Sequence, residues 1–225
     1  MLRSYPYCTT GSQAIDGALG GGLRRGRLTL VFGKGNSGKS QLAMQAALCA
    51  ARAGAKSLYV DTEGAFRPER VEEMALARGW HDDSLLSRII YLRCDSAAEQ
   101  AEAVRSMQAR KKTADCRLVV VDTLTRNLSL DLPGNENLPG RQGALDAYLS
   151  EMARDAFLNG RSYLLANRVT FDRRGADVGI GGSTVAQLVH SSLHLQREGK
   201  MIRVAEAGGA ASVLVEIGPS GIGAQ

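Results

Sequence analysis

The octapeptide Gly33-Lys34-Gly35-Asn36-Ser37-Gly38-Lys39-Ser40 lies directly after the apolar run Leu28–Phe32 and directly before the Ala- and Leu-rich stretch Gln41–Ala53. It satisfies the pattern G-x-x-x-x-G-K-[ST] in full, in the strand–loop–helix context that the pattern requires. Glycines let the backbone curl so that successive N–H groups point inward at phosphate oxygens. The N-terminus of the following helix adds partial positive charge at the same place. Lys39 can reach β- and γ-phosphates, and the Ser40 hydroxyl suits Mg²⁺. The expectation is therefore a site for ATP and Mg²⁺ made by Gly33, Lys34, Gly35, Asn36, Ser37, Gly38, Lys39, Ser40 and Gln41.

The rest of the chain supplies a sheet to carry that loop. Continuous apolar runs at Leu28–Phe32, Ser57–Asp61, Ile89–Leu92, Arg117–Asp122 and Ser162–Ala166 alternate with helix-forming stretches at Gln41–Ala53, Pro68–Arg78, Ala97–Lys111 and Ala144–Leu158. Strands that are apolar throughout, rather than at every second residue, are buried on both faces, which predicts a parallel sheet covered by helices and places the chain in the α/β class. After Gly181 the pattern shifts to Ser191–Gln196, Met201–Ala207 and Ser212–Ile217, divided by turn-like Arg-Glu-Gly-Lys and Ala-Gly-Gly-Ala. The sheet is predicted to end in antiparallel strands. Two stretches, Arg126–Gln142 and Arg168–Gly182, read as long irregular segments, which in a compact domain are more often functional than decorative.

Composition closes other routes. With 225 residues, 44% hydrophobic and 23% charged, the chain is expected to form one globular domain over residues 1–225. The apolar runs are too short for a membrane span, and the N-terminus lacks a signal-peptide core, so a cytoplasmic protein without a membrane partner is expected. Cys8, Cys49, Cys94 and Cys116 stand far apart and read as reduced core residues rather than a disulfide or zinc framework. The net charge is +5, and arginine supplies 22 of the 28 basic residues, which permits a phosphate-rich partner without demanding one. His81, His190 and His194 receive no catalytic role.

Two carboxylates fall where the phosphate loop can use them. Asp122 closes the buried run Arg117-Leu-Val-Val-Val-Asp122, and an acid at the carboxyl end of such a strand can hold the metal's hydration shell. Glu63 follows the strand ending at Asp61, and ligands of open parallel sheets bind beyond the carboxyl ends of the strands. Glu63 is either the base that polarises an attacking water or a solvated loop acid.

The segment Asp61-Thr-Glu-Gly-Ala-Phe-Arg-Pro-Glu-Arg70 resembles the Asp-Thr-Glu-Gly-x-Phe-x-Pro-Glu-Arg signature of the RecA/RadA recombinase family. Thr9-Thr10-Gly11, Ile15-Asp16, Gly20–Gly22, Val119-Val-Val-Asp122-Thr-Leu-Thr, Leu165-Ala-Asn167-Arg168-Val and Gly179-Ile-Gly-Gly182 follow in that family's order. The resemblance covers nearly all of Thr9–Ile217. It implies a RecA-like P-loop core with no separate N-terminal DNA-binding domain. A bare core without a Phe-x-x-Ala segment, together with Arg78-Gly-Trp and Leu86-Ser-Arg-Ile-Ile90, is most similar to the archaeal RadB branch of the family.

By the same resemblance Glu63 would be the catalytic base, with Lys39 on the phosphates, and Arg70 would stack on the adenine. Ser40 and Asp122 would hold Mg²⁺. The two irregular stretches would face DNA, single-stranded or branched, through Arg126, Arg141, Arg168, Arg173 and Arg174. One departure stands out. The family places Asn-Gln after the strand ending at Ala166, whereas this chain has Asn167-Arg168. An arginine accepts no hydrogen bond, so either the usual relay is altered or the guanidinium contacts phosphate directly. The implied function is a weak ATPase of DNA repair and homologous recombination that assists a full recombinase or another repair protein. The alternatives are a KaiC-like signalling ATPase, a small-molecule kinase and a nucleotide-gated adaptor with negligible hydrolysis.

Overall fold

The computed structural model describes residues 7–109, 115–171, 177–207 and 212–223. The elements run β1 (Tyr7–Cys8), α1 (Gln13–Ala18), β2 (Leu23–Arg24), β3 (Leu28–Phe32), α2 (Lys39–Arg52), β4 (Lys56–Asp61) and α3 (Pro68–Ala77). A short 3₁₀ turn (Leu86–Arg88) then leads into β5 (Ile89–Arg93), α4 (Ala97–Ala109), β6 (Cys116–Asp122), α5 (Arg126–Asp131) and α6 (Leu138–Asn159). The chain continues with β7 (Ser162–Asn167), β8 (Val169–Phe171), β9 (Asp177–Gly179), α7 (Gly182–Leu188), β10 (Ser191–Glu198), β11 (Met201–Glu206), β12 (Ser212–Gly218) and β13 (Gly221–Ile222).

Nine strands form one sheet in the order β13-β12-β11-β10-β3-β7-β6-β4-β5. The pairs from β10 through β3, β7, β6 and β4 to β5 are parallel. Those from β10 to β13 are antiparallel. The predicted α/β architecture, a mostly parallel sheet with antiparallel C-terminal strands, is the one observed. β1 with β2, and β8 with β9, make two small antiparallel pairs beside it.

Side chains alternate across the sheet and build a core on each face. Leu28, Leu30 and Phe32 of β3 pack with Val104, Met107, Leu145, Leu149 and Met152 from α4 and α6. Val31 of the same strand faces Leu42, Ala46, Val71 and Met74 from α2 and α3. The central strands β3, β7 and β6 are almost wholly buried, and truncating a fully buried Leu149 to alanine would cost about 2–5 kcal/mol.

The register sets the site. Asp61 is level with Asp122 across β4 and β6, Asp122 with Ala166 across β6 and β7, and Phe32 with Asn167 across β3 and β7. The loops after β3, β4, β6 and β7 therefore leave the sheet from one edge.

The stretch Arg126–Gln142, expected to be irregular, is mostly helical. α5 begins at Arg126, and α6 begins at Leu138 with a proline in its first turn, where the missing N–H has no helical partner to lose. The expected irregular stretch Arg168–Gly182 contains the β8–β9 pair and the start of α7. The elements β1, α1, β2, α7 and β13 were not expected at all. No helix among the described residues is long and apolar enough to cross a membrane.

Candidate nucleotide site at the carboxyl edge of the sheet

The loop between β3 and α2 needs its glycines for space and for backbone shape. A Cβ on Gly33 would stand 2.2 Å from the Leu195 carbonyl oxygen and 2.5 Å from Ser37 Oγ. Gly38, at φ +94°, caps α2 in the left-handed region, where a Cβ would meet Ile202 at 2.6 Å. The helix starts at Lys39, two residues before the sequence suggested, so the N–H groups of its first turn open toward the loop. Lys39 is nearly buried, and its ammonium donates to the carbonyls of Gly33 (2.9 Å) and Lys34 (2.8 Å) and to Ser37 Oγ (3.3 Å). Burial lowers its pKa, and the nearby Asp122 and Glu63 oppose that shift.

Asp122 is 1% exposed. Burial raises its pKa, while hydrogen bonds from the Ser40 and Tyr59 hydroxyls work the other way. The Tyr59 hydroxyl donates to Oδ2 at 2.9 Å. A buried carboxylate joined to a P-loop serine is a donor set that fits Mg²⁺. Among the described residues no group of three or more His, Cys, Asp or Glu forms a closed metal cage. Such an ion would complete its shell with phosphate oxygens and water, as Mg²⁺ usually does.

The turn that carries Glu63 is held by Asp61. Asp61 Oδ1 accepts from the N–H groups of Glu63 (3.0 Å), Gly64 (2.7 Å) and Ala65 (3.1 Å), and Oδ2 accepts from that of Phe66 (3.0 Å). Thr62 and Thr123 tie the turn to the next loop, with the Thr123 N–H donating to Thr62 Oγ1 at 2.8 Å. Thr123 Oγ1 donates to Glu63 Oε1 at 2.8 Å. The same oxygen accepts from Arg168 Nε at 3.1 Å and from the terminal guanidinium nitrogen at 2.7 Å. Arg168 thus forms an ion pair with Glu63. Its side chain is 61% exposed and that of Glu63 27%. Neighbouring Asn167 is fixed by Thr125 Oγ1 (2.8 Å) and by its own donation to the Ile180 carbonyl (2.7 Å), which anchors the β8–β9 segment to the site.

Arg70 lies beside the first turn of the P-loop helix. Its Nε donates to Gln41 Oε1 (2.9 Å), and its terminal nitrogens donate to the carbonyls of Pro219 (3.1 Å) and Gly218 (2.7 Å). An ion pair with Glu73 at 2.7 Å adds to these. These bonds run along the edges of the guanidinium and fix its plane. Gln41 therefore serves as a support of Arg70 and as the first-turn neighbour of the phosphate loop.

The arginines expected to face DNA do not share one environment. Arg126 is turned inward, donating to the Thr62 carbonyl at 2.7 Å from the first turn of α5. It braces the Glu63 turn rather than facing outward, because the segment around it is helical and packs on the sheet edge. Arg141 lies in the first turns of α6 and is half-buried. Arg173 and Arg174 lie outside the described residues.

Sequence reasoning missed Tyr59, Asp61, Thr123 and Asn167 as parts of the site. The contact of Tyr59 with Asp122 depends on β4 and β6 being neighbours, which strand order along the chain does not disclose. Cys49, Cys94 and Cys116 are buried, as expected of core residues, whereas Cys8 is half-buried. Burial raises the pKa of Cys8, and pushes Cys49, Cys94 and Cys116 up to about 11.

A sequence profile described as Rad51 matches residues 4–212. The chain belongs to the Rad51 family. It is 36% identical over 194 residues to the "DNA repair and recombination protein RadA" of Metallosphaera sedula, covering 83% of this chain and 59% of that one. It is 35% identical over 172 residues to the RadA protein of Ignicoccus hospitalis, covering 72% of this chain and 53% of that one. The chain thus spans little more than half the length of these relatives of the Rad51 family.

Proposed function

We propose that this Rad51-family chain is a slow ATPase of the RadB type that binds DNA and assists a full recombinase or another repair protein in homologous recombination. The observation that carries the reading is the meeting of Lys39, Ser40, Asp122 and Glu63 at one sheet edge, with Glu63 already paired to Arg168. The printed names of the two RadA relatives, both DNA repair and recombination proteins, support the cellular setting.

The division of labour follows from the chemistry. The amides of residues 33–40 and the Lys39 ammonium would hold the phosphates, and Ser40 with Asp122 would hold Mg²⁺, which supplies charge neutralisation on the phosphate oxygens. Arg70 would present a guanidinium face to the base. Glu63 would take the proton of the attacking water. In the present arrangement one Glu63 oxygen accepts three hydrogen bonds, so only Oε2 is left for that task. Slow turnover follows from that competition rather than from any defect in phosphate binding. DNA contact is assigned to Arg141, Arg168 and the segment after β8.

ATP turnover measured with and without single-stranded DNA, over a range of protein concentrations, tests the whole reading. Slow turnover that depends on Lys39 is the expected result. Complete absence of hydrolysis with intact ATP binding would replace it with the nucleotide-gated adaptor, a reading that the same Glu63–Arg168 pair favours.

A further inference from the structure

The opposite edge of the sheet carries a second concentration of arginine. In the neighbouring parallel strands β10, β3, β7, β6 and β4, the chain enters through His190, Arg27, Arg161, Arg117 and Lys56, each immediately before the strand or within its first two residues. Part of this row has an internal use. Helix carbonyl ends point toward this edge and favour cations. Arg25 Nε donates to the Gly160 carbonyl at 2.8 Å, and buried Arg161 pairs with Asp155 at 2.6 Å. Arg24, Arg27 and Arg117 remain, and among the described residues none of the three has a carboxylate partner. Asp115 at the entrance to β6 sets one negative charge against them.

These three arginines lie close enough to act together. Arg27 approaches the His190 ring at 2.6 Å, and Arg27 and Arg24 both add to the effect of burial in lowering the His190 pKa. Arg25 and Arg117 both pull the Cys8 pKa down against the larger effect of burial. β3 and β6 are two places apart in the sheet, which separates Arg27 from Arg117 by roughly 10 Å. An aromatic residue adjoins this group through its backbone. The Arg25–Gly26–Arg27 turn rests on the last turn of α6, where a Cβ on Gly26 would lie 3.9 Å from Phe157 Cα. Phe157 is 75% exposed, although phenylalanine has no polar atom to gain from water.

We infer that Arg24, Arg27, Arg117 and Phe157 form a second binding surface for single-stranded nucleic acid, at the end of the sheet away from the nucleotide. The arginines take consecutive phosphates, and the exposed ring gives one base a stacking platform, the combination that sequence-tolerant single-strand binding uses. A strand of five to seven residues separates the two edges by roughly 20 Å. A segment held here is therefore distinct from one held at the loops after β6 and β7, and one molecule can hold two segments. The inference does not depend on ATP hydrolysis or on the loop arginines.

The test is fluorescence anisotropy with a labelled oligothymidylate, titrated with salt, on four principal proteins and one control variant. The four are the wild type, R24A/R27A/R117A, F157A and R141A/R168A. The triple variant should bind with a slope of log affinity against log salt reduced by about 2, from three lost phosphate contacts. F157A should bind about ten-fold more weakly with an unchanged slope, because stacking carries no counterions. Its ring is largely in water, so folding is not at stake, and single R24A serves as the milder charge variant. Wild-type affinity and slope in both R24A/R27A/R117A and F157A overturn the proposal. Loss confined to R141A/R168A does the same while leaving the loop reading standing. The converse pattern overturns the loop reading alone. No wild-type binding at low salt removes both surfaces. Light scattering on the same samples gives a further refutation, if F157A abolishes self-association while oligonucleotide affinity stays at the wild-type value. The patch would then belong to a second copy of the chain.

Discussion

The P-loop and the Glu63 turn lie on neighbouring parts of the same sheet edge, yet their side chains are disposed differently. Around residues 33–40 the polar groups are held without being consumed. Lys39 rests on its own loop's carbonyls, which a phosphate can replace, and Asp122 is fixed by two hydroxyls with Oδ1 outside the Tyr59 bond. Around Glu63, the proposed base, one carboxylate oxygen, Oε1, is already paired with a guanidinium. On the proposed assignment the phosphate-binding groups are pre-organised, whereas half of the base's carboxylate is engaged elsewhere. The two functions are therefore separable by mutation.

Glu63→Gln should break the comparison most visibly. An amide keeps an acceptor oxygen for Thr123 and Arg168 but takes no proton from water, so turnover should fall by about 10²–10⁴ while nucleotide affinity holds. A quench-flow or steady-state phosphate assay beside calorimetric titration measures both. Equal loss of binding and turnover would show that Glu63 is structural. Lys39→Ala should do the reverse, weakening Mg-ATP affinity by about 100-fold or more in the same titration, since a charge-assisted contact to phosphate disappears from a nearly buried position. Undiminished affinity would refute the phosphate assignment.

Arg168→Gln sharpens the contrast from the other side. It removes the cation from Glu63 Oε1 and restores a side chain that can accept as well as donate. Basal turnover should rise, by about ten-fold if the lost charge-assisted bond was worth about 1.4 kcal/mol in the ground state. Turnover that falls instead would assign the guanidinium to the transferring phosphate, the other role open to an arginine at this position.

The halves of the site also differ in how far the sequence discloses them. The P-loop was legible because its glycines, lysine and serine are consecutive and their roles depend on backbone shape alone. Asp122 was legible because a buried strand that ends in an acid is a local pattern. The Glu63–Arg168 pair was not, since it joins residues 105 positions apart and depends on β7 lying two places from β4 in the sheet. The same limit explains Arg126. A stretch with Pro133, Gly134, Pro139 and Gly140 reads as irregular, but both glycine–proline clusters fall at or next to the join between α5 and α6, leaving Arg126 on a helix that packs inward. The antiparallel end of the sheet was visible because its separators are turn-forming, while the two-residue strands β1, β2 and β13 carry too little pattern to register.

The smallest expected effect concerns stability and separates it from catalysis. Burial raises the Asp122 pKa in the folded chain, so the fold holds that proton more tightly than the unfolded chain does. Ionised Asp122 therefore destabilises the fold at neutral pH, and the penalty fades as pH falls through the folded pKa toward the unfolded value of about 4. Asp122→Asn carries no charge and keeps an oxygen for the Tyr59 hydroxyl. It should melt about 2–4 °C above the wild type at pH 7.5, the shift expected for about 1 kcal/mol in a chain of this size. It should also lose Mg²⁺-dependent turnover. The Tm difference should shrink toward zero as the buffer approaches pH 4. A difference that stays constant with pH would place the gain in packing, and a wild type that melts higher at pH 7.5 would mean that the Lys39 attraction outweighs the cost of burial.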